Sequence, residues 1–392
     1  MILQKVCIIG GGLTGLVTTA VLSKLNIKVD FIVDTIPWEI KSNRTTAISQ
    51  NNYDFLKKLK IFKFSKKEFW PSSNMELYTK EKNEKLNKIL EFNNKKNKKK
   101  QLLYMINNSV FINNIFKNIK SNKKISLIQK KVPKIFSSGL LKSITSNSYD
   151  NRKYNLVIIC TGNKSDLTKT IFNNQFFEHS YNEIAITTTL KHKNLKNNTA
   201  RQLFFRDEML ALLPISNTMT SIVWFVKKKI LVKNKNKFKK ILENKIKYYT
   251  KDFLKKVSFI NAFEYREIGL KIRKKYYKDR ILLFGDALHT VHPLVGQGFN
   301  MTLRDLISLK NILNDKINLG LDIGSRDVLS TFSNQNKPYN FFYSIGIDFL
   351  KKSFSIKNYP LKNFRNTTVN IMDKNSYLKN IFLKLANNGL KF

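Results

Sequence analysis

The chain has 392 residues, 42% of them apolar and 12% aromatic, which is enough to bury a large core and excludes a disordered polymer. Its 71 Lys+Arg against 27 Asp+Glu give a net charge of +44, but the lysines run diffusely along the chain with an excess of Asn and Ile, which reads as compositional drift and not as a nucleic-acid-binding patch. With only 2 Cys and 4 His there is no disulfide framework and no metal centre is expected; nor does any run reach the roughly 18 apolar residues needed to cross a membrane.

From Gln4 to Ile9 the sequence reads as a buried strand, followed by a glycine turn and a helix with Leu16, Val17, Ala20, Val21 and Leu25 on one face. Lys28 to Val33 is a second strand. A strand, glycine turn, helix and strand in succession form a βαβ unit, which implies a parallel sheet with a right-handed crossover. The glycines Gly10, Gly11, Gly12 and Gly15 also interrupt the apolar Met1 to Leu22 stretch, so it is not read as a secretory leader. The Lys/Asn-rich stretch near 80–100 reads as a solvated insertion loop. Short strands are expected at Ile125 to Gln129, Val132 to Phe136, Leu140 to Thr145 and Asn155 to Cys160, as a meander leading back into the parallel sheet. Residues 183–226 read as a separate sheet-rich layer, with strands at Ile184 to Leu190 and Ser221 to Val226, and Phe238 to Phe253 as helix. Arg280 to Phe284 is a buried strand entering a glycine-rich turn, and the chain from Asn300 onward is largely helical.

Two motifs carry chemistry. Gly10-x-Gly12-x-x-Gly15 lies between the first strand and its helix: the first glycine permits the tight turn, the second lets a pyrophosphate approach the backbone, and the third lets helix and strand pack closely. Asp34 closes the second strand, where its carboxylate can accept hydrogen bonds from an adenosine ribose. The second motif runs from Gly285 to Asn300. There a strand delivers Asp286 to a turn within reach of sugar or ribityl hydroxyls, and Gly296 to Asn300 open a helix carrying Leu303, Leu306, Ile307, Ile312 and Leu313. Unpaired N–H groups at that helix start would stabilise negative charge on the N1/C2 edge of a flavin.

Together with Arg44-Thr45-Thr46-Ala47-Ile48-Ser49, Leu210-Ala211-Leu212-Leu213-Pro214, Ser221-Ile222-Val223-Trp224 and Arg304-Asp305, these motifs resemble the ubiquinone-biosynthesis hydroxylase family of FAD-dependent aromatic monooxygenases. The resemblance runs in order over roughly residues 2–350. It implies an α/β fold: a Rossmann-like FAD-binding domain in two parts (1–174 and 271–330), an interleaved sheet-rich substrate domain (175–270) and a helical C-terminal region (331–392). It implies FAD on Gly10, Gly12, Leu13, Thr14, Gly15, Asp34, Arg44, Val132, Gly285, Asp286, Pro293, Gly296, Gly298, Phe299 and Asn300, with NAD(P)H as electron donor. The implied reaction is hydroxylation of a polyprenyl phenol with O2, through a flavin C4a-hydroperoxide. The alternative is another FAD-dependent reaction on the same scaffold, such as reduction of an isoprenoid.

His289 is the one candidate for a general base, and Phe205, Trp224 and Phe225 are candidates to line the substrate layer. Two positions depart from the family pattern. An Asp-Gly pair is replaced by Thr161-Gly162, which is expected to alter reduction of the flavin, and the residue before Arg44 is Asn43. The expected partners are a lipid-soluble aromatic substrate, a membrane surface and other proteins of the biosynthetic assembly. The expected location is cytoplasmic and peripheral at the inner membrane, with the tail from Ser376 to Phe392 as an interfacial helix.

Overall fold

Four apolar runs too short and too continuous for amphipathic helices set the first layer: Lys5–Ile9, Lys28–Val33, Leu156–Ile159 and Ile281–Leu283, each buried almost throughout. Strands buried on both faces belong in a parallel sheet covered by helices, and all four pair in parallel. The computed structural model describes residues 3–36, 42–62, 64–65, 67–80, 86–93, 100–130, 134–145, 151–163, 165–173, 175–205, 207–230 and 235–354. In it these strands form the centre of a six-stranded sheet, with Ile125–Gln129 parallel at one edge and the short Tyr277–Lys278 antiparallel at the other. Helices Leu13–Leu22 and Asn108–Ser121 pack on each other, and Gln297–Asn318 packs on both Leu13–Leu22 and Arg326–Phe354.

The expected meander is present, but with different members. Ile125–Gln129 is an edge of the parallel sheet, while the three-stranded antiparallel sheet consists of Lys134–Ser138, Leu141–Thr145 and Asn151–Tyr154. Val132 lies outside the described residues, as does the tail from Ser376 to Phe392.

The second layer is a nine-stranded sheet. Its order is His289–Thr290, Glu264–Arg273, Phe176–His192, Met219–Lys227, Met209–Pro214, Thr199–Phe204, Asn74–Lys80 and Leu86–Asn93, with Val257–Phe259 also on the long strand. Leu86–Asn93 corrects the reading of 80–100 as a loop throughout. It pairs antiparallel with Asn74–Lys80 and buries Ile89 and Leu90, while Lys88 pairs with Glu91 and Glu76. Lysine and asparagine dominate the window average there and mask two buried aliphatic residues.

Strand alternation divides the inward residues of this sheet into two sets. Ile184, Ile186, Leu212, Ile222 and Trp224 pack under the amphipathic helix Lys235–Leu254. Ala185, Met209, Phe225 and Phe204 face the other way, into a cluster shared with Ala47, Val291, Leu294 and Met301. That second face meets the glycine-rich segment of the parallel-sheet layer.

Candidate functional site

The first glycine turn is built by close approach. A Cβ on Gly15 would lie 1.9 Å from the Gly10 carbonyl oxygen, so any larger residue separates helix from strand, and the Gly10 N–H donates to the Ile32 carbonyl at 2.9 Å. Gly12 differs: a Cβ there meets nothing within 4 Å. It caps helix Leu13–Leu22 with no side-chain hydrogen bond, which leaves the first N–H groups of the helix open toward that space. Leu13 anchors the helix start against the core.

Thr14 brings the second motif in. Gly285 adopts φ +62°, and a Cβ on it would lie 2.5 Å from the Thr14 methyl, so two turns some 270 residues apart are in van der Waals contact. Beyond Gly285, Pro293 accepts from the Gly296 N–H at 3.2 Å, and Gly296 (φ +68°) caps helix Gln297–Asn318 without a side-chain bond. A Cβ on Gly296 would be 2.8 Å from that of Ala47, so the Thr45–Ser49 strand closes the other side. Two uncapped helix starts, the open space over Gly12, and a buried Thr161 hydroxyl without a partner beside the Gly10 turn fit an anionic dinucleotide carrying a polarisable ring.

Asn300 is a clamp. Its amide donates to the carbonyls of Ala47 (2.9 Å) and Gly296 (3.1 Å), and its oxygen accepts from the Ser49 N–H and from Asn52, both at 2.9 Å. The side chain is therefore spent on protein, and the Asn300 carbonyl also accepts from Asn52 at 3.3 Å. Phe299 turns into the core and meets Phe111 edge-on at 6.1 Å, and a Cβ on Gly298 would make only ordinary contact, 3.7 Å from Val291. Asp34 is exposed at the end of its strand.

Asp286 is held by Arg266 at 3.1 Å, a partner on strand Glu264–Arg273 that no local motif announces. The Arg44 side chain opens to solvent on one side. Desolvation and Arg266 lower its pKa, while Asp286 and Glu264 oppose them. Arg44, Arg266, Glu264 and Asp286 thus form one charged rim, and the Asn108 N–H pins the Arg44 carbonyl at 2.9 Å.

His289 is not offered to a substrate. It is 2% exposed, and its Nε2 lies 2.8 Å from Asp305, whose carboxylate also accepts from Asn340 at 2.9 and 3.0 Å. This is a buried tie between the second glycine turn, helix Gln297–Asn318 and helix Arg326–Phe354.

A cavity of about 220 Å³ opens on the sheet face that meets the glycine turns. Phe204, Phe205, Met209, Phe225 and Phe354 form its apolar wall, and Glu183, Lys227 and Lys351 its inner polar wall. Of the three aromatics expected to line the substrate layer, Phe205 and Phe225 line this cavity. Trp224 does not: one residue from Phe225 on the strand, it packs beneath helix Lys235–Leu254.

A family model described as squalene epoxidase matches residues 153–386. The chain is 31% identical over 145 residues to ubiquinone hydroxylase UbiL of Rhodospirillum rubrum, an alignment covering 36% of this chain and 33% of that one. It is 25% identical over 201 residues to the ubiquinone biosynthesis monooxygenase COQ6 of Homo sapiens, covering 43% of each. These alignments thus span between a third and a half of the curated relatives. The p-nitrophenol 4-monooxygenase PnpA of Pseudomonas putida shares the fold, with a TM-score of 0.78 at 14% identity over 100% of this chain and 99% of that one.

Proposed function

This chain belongs to the squalene epoxidase family, and from that premise we propose that it is an oxidoreductase, an FAD-dependent monooxygenase that hydroxylates the aromatic ring of a polyprenyl phenol in ubiquinone biosynthesis, using O2 and NAD(P)H. The observation that carries the reading is the contact between Gly285 and Thr14, which brings two distant motifs together at one place. Relatives named for ubiquinone hydroxylation support the substrate class.

Gly12 and the open start of helix Leu13–Leu22 would hold the pyrophosphate, Asp34 the ribose, and Asp286 the ribityl chain. FAD bound there supplies the electron transfer and oxygen activation of the reaction. The protein's part is electrostatic and steric. The open helix start at Gly296 stabilises negative charge at the ring edge. Arg266 fixes Asp286 and shares a rim with Arg44. The Phe204, Phe225 and Phe354 wall keeps water from the acceptor ring.

Gly12→Val is the direct test, because its Cβ enters open space and the fold survives. The variant is expected to purify folded but colourless, and Asp286→Ala with weakened flavin; normal FAD content in both would sink the proposal. With holoenzyme, stopped-flow reduction by NADPH should be slow and accelerate in Thr161→Asp, because a carboxylate supplies charge that the Thr161 hydroxyl lacks.

The reading extends to a lipid surface. No helix among the described residues is long and apolar enough to cross a membrane. Helix Arg326–Phe354 nevertheless exposes Phe341, Ile345 and Phe349 at helical spacing, with Phe342 beside them, on a chain of net charge +44. Flotation with anionic vesicles, lost in Phe342→Ser/Phe349→Ser, is the expected result.

A further inference from the structure

Strand Glu264–Arg273 ends against the Gly285–Ala287 turn, and its last residue is a buried cation. Arg273 is 2% exposed. Its guanidinium donates from Nε to the Ala287 carbonyl at 3.1 Å, from Nη1 to the Asn173 carbonyl at 3.0 Å and from Nη2 to the Thr168 hydroxyl at 3.3 Å. Its backbone N–H donates to the Leu288 carbonyl at 2.9 Å. One residue thus holds two successive carbonyls of the turn that presents Asp286, and fastens them to helix Asp166–Phe172, which begins four residues after Gly162.

All of these acceptors are neutral, and no carboxylate among the described residues lies within ion-pairing distance of Arg273. The acid of the turn, Asp286, is paired with Arg266 at 3.1 Å, and Glu178 on the neighbouring strand lies 3.8 Å from Lys271. Lys169 pairs with Asp166 at 2.9 Å on the adjoining helix. The Phe176 ring takes Lys271 Nζ at 3.6 Å and Arg273 Cζ at 5.4 Å from its centroid, which eases the loss of water without neutralising either charge. Burial lowers the pKa of the guanidinium and no acid opposes that effect, yet an arginine stays protonated at any working pH, so the charge persists.

Taking a cation out of water is costly unless negative charge meets it. A tie between the turn and the helix needs no charge, because a neutral donor satisfies a carbonyl at a smaller desolvation cost. The charge itself therefore calls for a role, and in a low-dielectric interior it acts on whatever the turn binds. We propose that Arg273 is a positioning residue of the flavin site: it holds the Asp286 turn through the Ala287 and Leu288 carbonyls, and its unpaired cation favours the reduced, anionic form of the bound ring over the oxidised form. The inference rests on the FAD reading of the two glycine turns, and it adds the side chain that sets the electron affinity of the cofactor. Arg273 acts in the same direction as the open helix start at Gly296.

The experiment uses the full-length holoenzyme, with flavin content measured first. A native chain that binds no FAD fails the FAD reading, whereas a native chain that binds it and variants that behave otherwise than expected fail this inference alone. Arg273→Lys keeps the charge, Arg273→Gln keeps a donor without the charge, and Arg273→Met keeps only the bulk. The midpoint potential of the bound FAD is read by dye-coupled reduction. Arg273→Gln and Arg273→Met are expected to move the equilibrium about tenfold toward the oxidised form, about 30 mV for a two-electron couple, and Arg273→Lys to stay near the native value. Sulfite, whose addition to the oxidised ring leaves it negatively charged, is expected to bind about tenfold more weakly to the two neutral variants. A cation that served the pyrophosphate instead would weaken oxidised and reduced FAD alike and leave the potential unmoved. An unmoved potential in Arg273→Gln and Arg273→Met, equal shifts in Arg273→Lys and Arg273→Gln, or loss of folded, FAD-loaded protein in both neutral variants would overturn the proposal.

Discussion

The two layers build their candidate sites in opposite ways. In the parallel-sheet layer the site is made of backbone: glycines that remove side chains, helix starts whose N–H groups are left open, and turns in contact at Gly285 and Thr14. In the nine-stranded layer it is made of side chains, since Glu183, Lys227, Lys351 and Phe225 come from separate elements and meet only through register and packing. A backbone site tolerates no added atoms at its crossings. A side-chain site tolerates substitution and responds to charge and pH instead.

Four measurements can break or sharpen that contrast. The largest effect is expected at Gly15→Val, where the new side chain meets the Gly10 carbonyl. The loss should exceed about 4 kcal/mol and leave little folded protein, whereas Gly12→Val stays folded; equal stability of the two by chemical denaturation would remove the distinction. In the other layer, burial would raise the Glu183 carboxyl, but its contacts with His292, Lys227 and Lys351 outweigh that and hold it down from 4.5 to about 2. Its contribution, on the order of 3 kcal/mol, is therefore complete above pH about 4.5 and is lost as the pH falls toward 2. The stability gap between native protein and Glu183→Gln should shrink over that window, and a pH-independent gap would contradict it. Asn300→Ala should cost about 2 kcal/mol, because buried groups on Ser49 and Asn52 lose their acceptor. Arg266→Ala removes a half-exposed pair and should cost under about 1 kcal/mol of stability, while weakening flavin retention. A larger stability loss than for Asn300→Ala would reverse the ranking.

The same contrast explains what could be read from the chain alone. The glycine turns, their strands and the helix after Gly296 were legible because each is a local pattern, in which spacing within about twenty residues dictates geometry. Cofactor candidates such as Gly12 and Asp286 follow from that. Arg266 was not legible, since its pairing with Asp286 depends on where strand Glu264–Arg273 ends relative to His289–Thr290. Glu183 sits in an ordinary strand pattern, and Lys351 is one lysine among dozens. His292 lies within the second motif, and its aromatic neighbours Phe225 and Tyr181 come from strands remote in sequence. Trp224 and Phe225 are adjacent, and the choice between cavity and helix-covered face follows from register, which sequence periodicity does not assign.

Helix Arg326–Phe354 passes from one layer to the other: Val328, Leu329 and Phe332 are buried in the first core, Asn340 ties to Asp305, and Ile347 and Lys351 reach the second. At about 1.5 Å per residue, the rod from Phe332 to Lys351 is about 28 Å long. It therefore acts as a ruler set at one end in the parallel-sheet layer, with a mark, Lys351, at the other. Inserting or deleting one residue between Asn340 and Lys351 would rotate that mark by about 100° and move the charge off the cavity wall, while Asn340 and its tie through Asp305 to His289 stay in place.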